Sequence, residues 1–493
     1  MLQRIREWLA FILLCLLPFH ALLVTVGTKL IKGPGVAPLP VLALWKEGLL
    51  LLIVAIAIID IFHREYASQP EKSAWSFDAI DWLILGGLVW ASVVSMDPST
   101  FAKLGGFSGF FTHLKFTSAD KQFLLGFKYD FLPLAAFFFL RRVLWTEKWL
   151  KQVLIGLATV GAIAALYGIV TAFLPISFFT ALGYSDAYSL YIPGGPLAAF
   201  QQIESSPIRR IQSVMSGPNQ LGLWLLIPFS IFLWIGIKRF KSHLRSETDL
   251  KISFLLIWGF VFAAILAALM LTYSRAAWIA AAGMTFFLFI LAARRAKQLG
   301  YPRRVLVLTL VSVVVAGAAA AGTLVKLRPD LLIRAQSLGG HIDRPLNAIG
   351  LIGQHPFGLG LGTAGPASNA LSDVCVYQPA GSDYSWAKSR TDICIFLGNT
   401  QRYPADRACV CPLLTENWYL QFGVEMGIPG LILSILLALL VLRPLLSINL
   451  TDRALPALLA FLGVSIAGIF LHAFEDSAVA YTVWVLMSAV RKT

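Results

Sequence analysis

Residues 252–295 read ISFLLIWGFVFAAILAALMLTYSRAAWIAAAGMTFFLFILAARR, two apolar runs of about twenty residues parted by little more than Thr272-Tyr273-Ser274-Arg275. At 1.5 Å of rise per residue, each run is about 30 Å long as a helix, the thickness of a bilayer core. The linker has room only for a tight reversal. The stretch therefore reads as a hairpin that crosses a membrane twice and wedges Arg275 into its turn.

Working outward, apolar runs bounded by charge, Pro or Gly recur at 8–27, 39–62, 78–96, 123–140, 152–174, 219–237, 252–272, 275–293, 305–324, 418–442, 454–471 and 474–490. The expectation is an all-α polytopic membrane protein of about twelve transmembrane helices. The first run follows Arg4 and Arg6 without a small-residue cleavage site and reads as an uncleaved anchor. Of the 493 residues, 58% are apolar and 13% charged, whereas soluble chains carry about 25% charged residues. A water-soluble enzyme is excluded.

The excess of 40 Lys+Arg over 26 Asp+Glu, +14 in all, would suggest nucleic acid in a soluble protein. Here it reads as topology, because basic loops stay in the cytoplasm. With the amino terminus inside, Arg64 and Lys72, the cluster Arg141, Arg142, Lys148 and Lys151, and the cluster Lys238, Arg239, Lys241, Arg245 and Lys251 share one face. Arg294, Arg295, Lys297, Arg303, Arg304, Arg453, Arg491 and Lys492 join them. Both termini are then cytoplasmic, and 97–122, 175–218 and 325–417 lie outside. The last segment, between helices 9 and 10, far exceeds the usual 2–8 residues between packed helices. It holds Cys375, Cys394, Cys409 and Cys411. Four cysteines allow three pairings, and an oxidising exterior favours disulfides over a metal, since Cys409-Val410-Cys411 lacks zinc-hairpin spacing and no His lies near. No metal or cofactor is expected.

Charges at helix mouths opposite the basic loops need a reason. Arg209-Arg210 leads into Ser216-Gly217-Pro218-Asn219-Gln220-Leu221-Gly222; Arg275 occupies the hairpin turn; Thr415-Glu416-Asn417-Trp418 re-enters the membrane ahead of Glu425. Arg344, and His355 before the glycine-rich run Gly358-Leu359-Gly360-Leu361-Gly362, lie in the long loop. Plainer readings stand beside these. An arginine can snorkel to lipid phosphate, Asn219 and Glu416 can serve helix starts, and His355 can be a structural donor. Lys46-Glu47 and Glu475-Asp476 read as ion-pair anchors or cavity lining. Guanidinium forks at the outer surface suit a diphosphate, and a half-buried carboxylate beside them can take a proton from a hydroxyl. Together these parts allow glycosyl transfer from a lipid-linked donor without a metal.

Over roughly 205–445 the chain resembles the O-antigen ligase and O-antigen polymerase superfamily. The matching pieces, in the family's order, are Arg210 through Pro218-Asn219-Gln220-Leu221-Gly222, Ser274-Arg275-Ala276-Ala277, Arg344 through Pro356-Phe357-Gly358-Leu359-Gly360-Leu361-Gly362, and Glu416-Asn417 followed after nine residues by Gly427-Ile428-Pro429-Gly430. The resemblance implies a GT-C-like helical fold. It also implies a multi-pass protein of the bacterial inner membrane that moves a glycan from undecaprenyl diphosphate to an acceptor outside: a lipid A core, a growing glycan or a protein hydroxyl.

Carried over by residue, Arg210 and Arg275 bind the diphosphate, Glu416 is the base, and Arg344, Asn417, Asn219 and His355 contact substrate. The family motif begins with His where this chain has Glu416. Segment 1–204 then supplies amino-terminal helices, 205–445 the catalytic region with its loop 325–417, and 446–493 a terminal hairpin. The rival expectations are a transporter or lipid flippase, with charges and broken helices at mid-membrane, and an inactive scaffold of glycan assembly.

Overall fold

A computed structural model describes residues 1–67, 76–96, 118–185, 195–203, 208–244, 252–295, 326, 335–387, 393–398 and 400–490. The expected span 305–324 lies outside the described residues. The protein is mostly helical, with six described helical runs long and apolar enough to cross a membrane: Leu2–Lys32, Asp120–Leu140, Glu147–Thr171, Pro218–Arg239, Arg275–Arg294 and Trp418–Leu446. Shorter apolar helices cover Ala79–Ser95, Leu255–Leu271, Leu455–Ala467 and Ser477–Ser488. On α9 below, Ile252, Leu256, Ile257 and Phe260 are 64–75% exposed, an arrangement suited to lipid and unsuited to water.

The helices start and stop where local chemistry directs. In α1 (Leu2–Leu16) and α2 (His20–Lys32) the run at 8–27 is one rod, rewired through a 3-10 turn because Pro18 has no N–H to continue the ladder. The run at 39–62 becomes a short turn at Pro40–Ala43 followed by α3 (Trp45–Ala67). Asp78 and Asp81 form a capping box on α4 (Ala79–Ser95).

A π-helical step, Phe127–Phe131, joins α5 (Ser118–Gly126) to α6 (Leu132–Leu140) and leaves Asp130 buried. Thr146 caps α7 (Glu147–Thr171). There follow α8 (Pro218–Leu244), α9 (Ile252–Leu271), α10 (Arg275–Arg294) and α11 (Ala335–Gln354). The last three are α12 (Trp418–Leu442), α13 (Leu455–Ala467) and α14 (Ser477–Ser488), with Asn417 capping α12 and Asp476 capping α14.

Apolar packing arranges these elements. Helix α13 is buried on nearly every side and lies against both α8 and α10, α7 lies against α9, and α1 against α3. Trp224, Trp484, Phe461 and Phe474 fill the centre. Helix α12 is broken at Gly427, whose φ is 70°.

The segment 325–417 is more ordered than a long connection implies. It contains α11, which packs on α12, a short helix at Gly365–Leu371, and, in addition to the ribbon of β1 (Gln201–Gln202) and β2 (Arg209–Arg210) ahead of α8, a sheet of β3 (Val374–Gln378), β4 (Ile393–Leu397) and β5 (Thr400–Tyr403). Strands β3 and β4 are parallel, β4 and β5 antiparallel. Ala387, Ile393 and Ile395 form a small separate core there. Two disulfides, Cys375–Cys411 and Cys394–Cys409, join β3 and β4 to the irregular segment leading to Glu416, which selects one of the three pairings the sequence allowed.

Candidate functional site

Arg210 is positioned by a two-strand ribbon in which Gln201 of Gln201–Gln202 faces Arg210 of Arg209–Arg210. Each of its three guanidinium nitrogens donates one hydrogen bond. Nε donates to the Thr272 carbonyl at 2.9 Å, and the terminal nitrogens donate to Gln201 Oε1 at 3.0 Å and Asn219 Oδ1 at 2.8 Å. The Ile211 N–H donates to the Leu271 carbonyl at 3.1 Å. Arg210 thus holds the turn that carries Arg275, and Asn219, in the first turn of α8, orients it.

Gly222 makes this approach possible, because a Cβ there would meet Ala277 Cβ at 3.0 Å and Ser274 Cβ at 3.1 Å. Arg209 points elsewhere: its guanidinium lies 4.6 Å over the Phe200 ring and donates to the Leu174 carbonyl at 3.0 Å.

Glu416 sits one residue ahead of the α12 cap. The Asn417 side chain accepts from the Leu420 N–H at 2.9 Å and donates to the Ile469 carbonyl at 2.9 Å, while the Trp418 N–H donates to the Gly468 carbonyl at 2.8 Å. The mouth of α12 is thereby docked on the turn after α13. Asn417 is a cap and a strut in this structure. The Glu416 carboxylate, largely buried, pairs with Arg344, and its other oxygen lies 3.8 Å from His341 Nδ1.

His341 reports how closely these parts gather. Burial holds its imidazole below the usual histidine value; Glu416 opposes that shift, while Arg275, Arg344 and Arg210 reinforce it. Four residues selected from distant parts of the sequence therefore act on one imidazole. Three guanidiniums against one carboxylate give this neighbourhood a net positive charge.

Backbone strain gathers here too. The described non-glycine residues with positive φ are Ser213 (53°), Tyr273 (51°) and Glu416 (49°), each within three residues of a charged member of the site or belonging to it. His341 escaped the sequence reading, although it precedes Arg344 by three positions, the spacing that puts two side chains on one helix face.

His355 does not share the immediate setting of that group. It is exposed just past the end of α11, eleven residues and about 16 Å of helix beyond Arg344. The glycine-rich run after it seals the break in α12. The Leu359 and Gly360 N–H groups donate to the Val424 and Glu425 carbonyls, both at 2.9 Å, and the Ile428 N–H donates to the Pro356 carbonyl at 2.9 Å. Glu425 Oε1 accepts from the Gly362 and Ala364 N–H groups at 3.0 and 3.2 Å. Trp90 Nε1 donates to the Met426 carbonyl at 2.8 Å. Backbone groups freed by the break are thus satisfied within the protein, as a bilayer requires.

A second polar group lies nearby. Asp130, Gln421, Glu425 and Glu475 are buried, and Gln421 Nε2 donates to Asp130 Oδ1 at 3.2 Å. Glu475 also lines a small cavity with Lys46, Glu47, Lys128, Tyr129 and Tyr481. Lys128 Nζ lies 3.1 Å from Glu47 Oε1 and Lys46 Nζ 2.9 Å from His20 Nε2, so Glu47 is both ion-pair partner and lining. Asp373, Cys394 and Cys409 approach closely enough for a metal, but both cysteines are spent in disulfides and offer no thiolate.

No protein-family model matches the chain, and no curated protein matches it. The chemistry of the site itself carries the functional reading.

Proposed function

We propose that this protein is a glycosyltransferase of the O-antigen ligase type, a twelve-span GT-C-like protein of the bacterial inner membrane with its active site on the outer side. The observation that supports this most is the gathering of Arg210, Arg275, Arg344 and Glu416 around His341.

The donor is undecaprenyl diphosphate bearing a glycan, with its prenyl chain in the bilayer and its diphosphate among the guanidiniums. The acceptor hydroxyl oxygen attacks the anomeric carbon, and the bond from that carbon to the phosphate oxygen breaks. The hydroxyl proton passes to Glu416. The diphosphate leaves with negative charge that Arg210, Arg275 and Arg344 neutralise, the work guanidinium forks do well. His341 stands beside Glu416 where the family motif leads one to expect a histidine at 416 itself. The acceptor is a lipid A core, a growing glycan or a protein hydroxyl.

The test is transfer in proteoliposomes, with lipid-linked glycan in cells followed by mass spectrometry. Arg275→Lys and Glu416→Gln should insert and fold normally, lose transfer by at least 100-fold on the scale usual for a lost acid–base or charge-stabilising group, and accumulate lipid-linked repeats in cells. Undiminished transfer in both variants would overturn the assignment.

The break in α12 at Gly427, beside buried Asp130, Glu425 and Glu475, favours a second reading as a transporter. The same proteoliposomes separate the two. A transporter exchanges labelled substrate across the bilayer without forming a glycosidic bond, whereas a transferase forms the bond without exchange.

A further inference from the structure

The turn between α13 and α14 carries His472, which the reaction above leaves unused. This turn is the one on which the α12 mouth docks, through the bonds from Trp418 to Gly468 and from Asn417 to Ile469. Both His472 ring nitrogens are sealed from solvent, and neither has a hydrogen-bond partner among the described residues.

A neutral imidazole always presents one N–H, and a buried N–H with no acceptor is unfavourable. Such a group calls for an explanation of what it meets when the protein works. The charged groups that act on His472 are Glu416 and Arg344. Glu475, three residues on, interacts with Asp130 on the other side of the turn. The bonds from Asn417 and Trp418 to this turn bring the adjoining Glu416 towards it as a candidate acceptor, and one oxygen of that carboxylate is occupied by Arg344.

We infer that His472 is a positioning residue for Glu416, taking hold of the carboxylate once Arg344 is drawn away from it. The inference rests on the transferase reading for its trigger. An anionic diphosphate drawn to Arg210, Arg275 and Arg344 competes for Arg344, whose side chain is 45% exposed. Glu416 then exchanges a guanidinium for the His472 N–H and keeps its second oxygen for the acceptor hydroxyl. In the resting state the base is locked; the donor unlocks it. This order protects the protein from activating a hydroxyl before a donor is present.

The test uses the full chain in nanodiscs with 15N-labelled histidine, the His472 signal being assigned by His472→Asn. Without ligand, Arg344→Ala should raise the pH at which His472 protonates by about one pH unit, the effect of a carboxylate brought within hydrogen-bonding range. Arg344→Ala combined with Glu416→Gln should abolish that rise. An unchanged His472 titration in Arg344→Ala, or an equal rise in the double variant, overturns the inference.

Farnesyl diphosphate added to the unaltered protein should reproduce the rise in a saturable way, and should fail to do so in Glu416→Gln. If the Arg344→Ala response is present while farnesyl diphosphate has no effect, the donor reading falls and the exchange between Arg344 and His472 stands.

Discussion

The Nε of Arg210 donates to the Thr272 carbonyl at 2.9 Å, three residues ahead of Arg275, so one guanidinium clamps the turn that presents another. Gln201 and Asn219 hold the rest of the Arg210 guanidinium in place.

Arg210→Lys keeps the charge and loses the fork, since an ammonium cannot reproduce three planar bonds. Thermal unfolding should show a loss of about 1–3 kcal/mol, the scale of charged hydrogen bonds, and transfer should fall at least tenfold. Asn219→Ala removes one of the three bonds and should give a smaller loss in both measurements.

The disulfides tether the irregular segment that ends at Glu416. Replacing Cys394 and Cys409 together by Ser opens a loop with a sequence separation of 15 and should weaken the local unit by about 3 kcal/mol. Hydrogen exchange should accelerate over 393–416 and stay unchanged in α8, α10 and α13. Equal acceleration in those helices would mean that the sheet supports the whole bundle.

Two glycines in adjacent segments should respond oppositely to alanine. Gly358 has a φ of 97°, and a Cβ there would overlap the Glu425 carbonyl, so Gly358→Ala should destabilise by about 2–4 kcal/mol. Gly353, inside α11, has nothing within 4 Å of an added Cβ, and Gly353→Ala should be neutral or stabilising by up to about 1 kcal/mol. Comparative thermal unfolding in one detergent decides both.

Burial lowers the His472 imidazole from 6.5 to about 4. Because the folded state then binds this proton less readily than the unfolded state, its contribution to stability is complete above pH 6.5 and is lost as pH falls towards 4. The loss is at most roughly 3 kcal/mol. Unfolding measured between pH 7 and pH 4 should show this slope, and His472→Asn should flatten it.

Much of the architecture is legible along the chain because bilayer thickness imposes a length and hydrocarbon imposes a composition. The hairpin at 252–295, the rod containing Pro18 and the helix entered at Trp418 follow from those constraints alone. The break at Gly427 follows from neither, since it depends on Pro356, Leu359 and Gly360 arriving from another segment to satisfy the opened backbone. The long loop looked irregular because its strands are short and its core is held by disulfides more than by apolar periodicity.

The site divides in the same way. Arg210, Arg275 and Glu416 stood out in the sequence because charge at a helix mouth is costly wherever it occurs, and Arg344 because it falls within the family resemblance. His341 and His472 did not, since a single histidine carries no such cost and acquires meaning only from its neighbours. The sequence by itself determined that the chain lies in a membrane and which charges require a purpose, through the price of placing polar atoms in hydrocarbon. Only the tertiary structure decided which of those charges meet, because contact between Arg344 and Glu416, 72 positions apart, depends on how the helices pack.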